Sequence, residues 1–111
     1  MAVGEIGLLQ KTKIATAAAT QYRGLQLSGA AVAAGGTGYP AATGGAIGDP
    51  IPLTLVGVAI GEAGAAVSDG AALEFDSSGR YITRTTGTTV ARACTPASAA
   101  GVQMEILVIT H

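Results

Sequence analysis

Large apolar residues alternate with polar or small ones only in short stretches of this chain, and each stretch reads as a β-strand. The longest is residues 53–60 (LTLVGVAI). Here Val56, Val58 and Ile60 fall on one face, and Leu53 and Leu55 on the other. Gly57 within it signals a bulge or a close backbone approach, and Pro50 and Pro52 restrict its start to an edge or an extended entry. Residues 71–76 alternate cleanly, which turns Leu73 and Phe75 inward and Glu74 and Asp76 outward. Ser77-Ser78-Gly79 then has the chemistry of a three-residue hairpin loop with glycine in the left-handed position. Residues 80–86 return as a strand, Gly87 interrupts it, and residues 88–93 continue it. In the closing strand, 104–110, Ile106 and Val108 face one way and Leu107 and Ile109 the other. A strand apolar on both sides is covered on both sides, so one of its faces is expected to meet another subunit.

Between these strands the pattern thins. Residues 22–27 (YRGLQL) are a shorter strand candidate, and 28–50 form a long loop of Gly, Ala, Thr and Pro with Tyr39 as its one aromatic. Residues 1–20 read as an extended arm with a short strand near 6–9, carrying Ile6, Leu8, Leu9 and Ile14. Such an arm is suited to pairing with a partner's sheet edge. In 95–101, Thr95 as a cap, Pro96 at the first position and Gly101 at the end predict one short helical turn. A faint echo links GAALEF at 70–75 with GVQMEI at 101–106, each after an Ala-rich connection. The expected fold is mainly β: a small β-barrel or β-sandwich-like domain over 21–111, with one short helical turn, the 1–20 arm and the 28–50 loop.

Composition qualifies the core. Hydrophobic residues are 49% of the 111, but about a fifth of the chain is Ala, and there are one Phe, three Tyr and no Trp. At about 25 cal/mol per Å² of buried apolar area, methyl groups stabilise weakly, and 17 Gly add backbone entropy that folding must overcome. A thin core of this kind implies burial between chains, hence an oligomer or a lattice-bound subunit. A net charge of −1 with 12% charged residues offers no basic patch for nucleic acid. No apolar run approaches the roughly 20 residues that span a bilayer, and the first residues lack the pattern of a secretory signal. The single Cys94 allows no intrachain disulfide, and the absence of Asn allows no N-glycosylation. These features fit a protein made in a cytoplasm, binding neither nucleic acid nor membrane.

Candidate chemistry is sparse. His111, the one histidine, has no orienting partner in view. Cys94 reads as a small buried residue. The seven carboxylates (Glu5, Asp49, Glu62, Asp69, Glu74, Asp76 and Glu105) form no metal-ligand spacing, and Glu74 and Glu105 are expected on solvated faces. Gly36-Thr-Gly38-Tyr-Pro-Ala matches a dinucleotide fingerprint in letters only, since no hydrophobic strand precedes it and no helix follows. The four arginines read as solvated strand faces or rim ion pairs. No catalytic, cofactor-binding or metal residues are therefore assigned, and the chain is not expected to be an enzyme.

The order of segments resembles the capsid cement, or head decoration, proteins of tailed bacteriophages. The residues that carry the resemblance are Tyr22-Arg23, the Leu55-Val-Gly-Val-Ala-Ile-Gly-Glu-Ala-Gly strand and turn, Ala72-Leu-Glu-Phe-Asp-Ser-Ser-Gly-Arg, Val90-Ala-Arg-Ala with its Ala-rich turn, and the closing apolar strand. Together they span about residues 22–110. The resemblance implies a β-rich subunit without catalytic site or cofactor, bound to the outside of the expanded capsid. Its partners would be the major capsid protein and itself, a homotrimer being favoured and a dimer possible. Ile6, Leu8, Leu9, Ile14, Tyr22, Arg23, Tyr39, Leu107 and Ile109 are the candidate capsid or subunit contacts. The alternative is another virion or surface β-module, a tail or fibre component or a glycan-binding domain, for which Tyr22, Tyr39 and Tyr81 are the available aromatics.

Overall fold

The computed structural model describes residues 7–108. Eight strands follow in order: β1 Gly7–Ile14, β2 Gly24–Leu25, β3 Tyr39–Pro40, β4 Pro50–Glu62, β5 Ala72–Phe75, β6 Tyr81–Thr83, β7 Ala91–Ala93 and β8 Gln103–Val108. Six of them form one sheet in the order β1-β4-β8-β7-β5-β6, and β2 pairs with β3. Every pairing between these strands is antiparallel. The sheet stays open, with β1 and β6 at its edges, and the β2–β3 ribbon packs over its inner face to give a β-sandwich-like domain.

The strand β4 explains much of the architecture. Its inward row runs Ile51, Leu53, then Gly57, Ala59 and Gly61, all buried, while Val56, Val58 and Ile60 are only half-buried on the opposite face. The small residues face inward because large ones fill that space from across the core. A Cβ on Gly61 would meet the Tyr81 ring at 2.9 Å and Ile106 Cδ1 at 3.0 Å. Tyr81 in turn packs on Phe75, ring centroids 4.8 Å apart and tilted by 46°. Gly57, at φ +120°, marks an irregular register, where β1 shifts twice between Gly7 and Gln10.

The prolines of β4 fit because of ladder parity. Ala15 N–H donates to Asp49 C=O at 3.0 Å, so along the regular ladder from Gln10 to Ile14 the residues Lys11 and Lys13 lie at hydrogen-bonded positions, and Thr12↔Pro52 and Ile14↔Pro50 need no proline N–H. Pro52 C=O points the other way and accepts from Ala42 N–H at 3.0 Å.

The echo between 70–75 and 101–106 belongs to a larger regularity. Four times the chain leaves a strand through a buried alanine: Ala15, Ala41, Ala63 and Ala93. Four residues later it forms a bridge, Ala19↔Gly45 in one case and Val67↔Ala97 in the other. It then enters the next strand through a residue at positive φ: Tyr22, Gly48, Gly70 and Gly101. The bonding repeats as well. Gly48, Tyr22, Gly101 and Gly70 donate N–H groups to Ala15, Ala41, Ala63 and Ala93, at 2.8, 2.9, 2.7 and 2.8 Å. The same four alanines donate to the residue that follows each of them, at 3.0, 3.0, 2.9 and 3.0 Å. Two crossed loop pairs, 15–23 with 41–49 and 63–71 with 93–102, therefore share one design, each crossing locally two-fold.

Several sequence expectations change. No helix occurs among the described residues, and 95–101 is one arm of a crossed loop pair in place of a helical turn. Thr95 Oγ1 accepts from Glu105 N–H at 3.0 Å instead of capping a helix. Residues 7–14 of the expected arm form β1 along β4, and Ala15 beyond it is buried. The 28–50 loop contributes β3 and the buried Val32, Tyr39 and Ala41. The candidate strand at 22–27 shortens to Gly24–Leu25 because Tyr22, at φ +68°, belongs to the turn.

Candidate interaction surface

The outer face of the six-stranded sheet is the main surface with a distinct character. In β8, Met104, Ile106 and Val108 are buried, while Gln103, Glu105 and Leu107 are exposed. The closing strand is thus covered on one side only, and Leu107 remains 40% exposed. Register sets Leu107 between Val58 on β4 and Arg92 on β7, with Ile60 opposite Glu105 and Val56 opposite Leu9. Leu9 is 53% exposed. An apolar band of Leu9, Val56, Val58, Ile60 and Leu107 therefore crosses three strands, rimmed by Arg92 and Glu105. Arg92 Nη1 donates to Gly70 C=O at 3.3 Å.

The other candidate contacts separate. Ile14 is 58% exposed on β1. The backbone of Leu8 lies in β1, while Ile6, Ile109, His111 and the Leu8 side chain are outside the described residues. Tyr39 is not a surface residue: it is buried in the core. Tyr22 is half-buried and lines a hollow of about 170 Å³ with Pro40, Ala42, Thr54 and Ile60. Arg23 is committed internally. Its Nε and Nη2 reach Glu62 Oε1 and Oε2 at 3.3 and 3.1 Å. Arg80 Nη1 approaches the same carboxylate at 3.7 Å, and its buried Nε, which makes no hydrogen bond, leans on Asp76 at 3.5 Å. This four-residue network ties the Tyr22 turn, the end of β4 and the β5–β6 hairpin together, a structural role in place of a solvated rim.

No protein-family model matches the chain, and a search of curated proteins returns no match.

Two further expectations are corrected. Glu74 does not face solvent; it is only 5% exposed, covered by the 84–88 loop. Its carboxylate accepts from Thr85 N–H at 2.6 Å, Thr85 Oγ1 at 2.9 Å and Gly87 N–H at 3.1 Å. The Thr85 backbone and hydroxyl bonds outweigh desolvation and hold its pKa below the usual carboxylate value. Cys94 is exposed, and desolvation, then Glu105 and Asp69, push its thiol pKa up, so it is a weaker nucleophile than an ordinary cysteine. Among the described residues, no group of three or more His, Cys, Asp or Glu is placed to hold a metal, and no helix is long and apolar enough to cross a membrane.

Sequence reasoning did not single out Val56, Val58 and Ile60 as contacts. The available signal was their shared face in a strand whose other face carries Gly and Ala. It also passed over Lys11 and Lys13, which share a face of β1 and have no ion pair among the described residues.

Proposed function

We propose that this chain is a structural virion protein that binds the outer surface of the expanded phage capsid and stabilises it by clamping neighbouring capsomers. The observation that carries the reading is the apolar band of Leu9, Val56, Val58, Ile60 and Leu107, surface that the chain's own core does not cover. Contiguous exposed apolar surface of this kind marks an interface. In this reading copies of the chain associate through the band, as a homotrimer in preference to a dimer. The β1 edge engages the major capsid protein by strand addition. Each contact is modest, and linking several through one oligomer multiplies them. The role involves no catalytic step, cofactor, nucleic acid or membrane, and its place is the capsid exterior after synthesis in the bacterial cytoplasm.

The second reading, a tail or fibre component or a glycan-binding domain, has less to draw on. Stacking on sugars needs exposed aromatics; Tyr39 and Tyr81 are buried, which leaves the half-buried Tyr22. Co-sedimentation with expanded, undecorated capsids tests the first reading. Wild-type protein should pellet with them, and binding to glycans with none to capsids would reverse the order of the two.

A further inference from the structure

β1 is an edge strand: β4 pairs with one side of it, and no described strand pairs with the other. The ladder parity fixed by Ala15 and Asp49 directs the N–H and C=O groups of Thr12 away from β4. The far end of this edge is closed, because Gly29 packs directly on Ile14 C=O and its own C=O accepts from Thr16 N–H at 2.8 Å. The open part is the stretch around Thr12.

Two lysines flank that stretch. Lys11 pairs with Leu53 and Lys13 with Ile51, so both point to the same side of the sheet. Neither has an ion-pair partner among the described residues. On the opposite side β1 presents Leu9 and Ile14, both more than half exposed. The edge therefore offers two positive charges at alternate positions on one face and apolar side chains on the other.

This pattern selects its occupant. An antiparallel pairing of two β1 edges centred on Thr12 sets Lys11 of one copy opposite Lys13 of the other. A parallel in-register pairing sets each lysine opposite itself. Like charges directly across a ladder are unfavourable, and inward-pointing charges are a recognised guard against edge-to-edge association. A second copy is thus the wrong partner for this edge.

We infer that the free edge of β1 takes up an extended segment of another protein, one with carboxylates at alternate positions facing Lys11 and Lys13 and apolar residues between them. The inference rests on the strand-addition reading above and names the chemistry of the strand that is added.

The test uses the full chain and three labelled seven-residue peptides in which Val alternates with Glu, Lys or Thr. The Val/Glu peptide should bind roughly tenfold more tightly than the Val/Lys peptide at low salt, and the gap should narrow as salt screens the pairs. Hydrogen exchange at the Thr12 amide should slow when the Val/Glu peptide is bound. Lys11→Glu combined with Lys13→Glu should reverse the preference with an unchanged melting temperature. Equal binding of the three peptides, binding of none, or binding without protection of Thr12 overturns the inference. Protection of Thr12 that grows with protein concentration alone points to self-pairing and also overturns it. Failure with peptides while capsid binding persists removes this inference only, whereas loss of capsid binding removes the reading beneath it.

Discussion

The carboxylate of Glu74 accepts both the backbone N–H and the hydroxyl of Thr85, at 2.6 and 2.9 Å. This contact holds the 84–88 loop against β5, and it exists in full only when Glu74 is ionised. Because the folded-state pKa is lowered, the contribution is present above the unfolded value of about 4.5 and is lost as pH falls through the folded value. Thermal melts from pH 7 to pH 2.5 should show wild-type stability falling below about pH 4.5. Glu74→Gln should start lower at pH 7 and fall less steeply. Parallel curves would refute the assignment.

Two glycines should fail for different reasons. A Cβ on Gly24 would enter the Phe75 ring, so Gly24→Ala forces the one phenylalanine of the chain to move and should cost about 1–3 kcal/mol. Gly48 has open space around it but sits at φ +94°. Gly48→Ala should cost about 1 kcal/mol through backbone conformation alone. Urea unfolding of the two variants measures the difference, and equal costs would contradict the packing described around Phe75.

Glu62 is shared by Arg23 and Arg80, with its side chain only 18% exposed. Glu62→Ala removes the common acceptor and should destabilise by about 1 kcal/mol. Glu105→Ala, on the exposed outer face, should stay within about 0.5 kcal/mol. Denaturant midpoints at low and high salt check both, and the Glu62 effect should persist in salt better than that of a surface pair.

Local signals in the sequence were reliable where structure is local. The alternation at Leu73 and Phe75 and the Ser77-Ser78-Gly79 loop appear as expected, with Gly79 at φ +80° and Asp76 Oδ1 accepting from Ser78 and Arg80 N–H groups at 2.8 and 2.9 Å. The failures are non-local. Thr95, Pro96 and Gly101 carry helix-end chemistry, yet the same residues serve a crossed loop whose partner, Val67, is thirty positions away. Residues 7–14 have a weak pattern because their stability comes from pairing with β4 some forty residues on. Glu74 looks like an outward residue because nothing near it in sequence announces that Thr85 and Gly87 fold over it. The apolar band was legible in part: Leu107 stood out by alternation, while Val56, Val58 and Ile60 read as ordinary strand residues because a sequence pattern gives no account of which side Tyr81 and Phe75 fill.

If the band is a self-association surface, charge placed in its middle should break the oligomer and spare the fold. Leu107→Asp and Val58→Lys should melt within a few degrees of wild type, since neither side chain is fully buried. Sedimentation velocity should show an assembly for wild type and a monomer for both variants. A monomeric wild type would remove the oligomer from the account.

The most direct measurement is imaging of expanded, undecorated tailed-phage capsids after mixing with this protein. The account predicts density on the outer surface at junctions between capsomers, repeated with the local symmetry of the lattice, and capsids that withstand heating better than bare ones. Absence of density at any saturating concentration, or density only on tails or fibres, would contradict it.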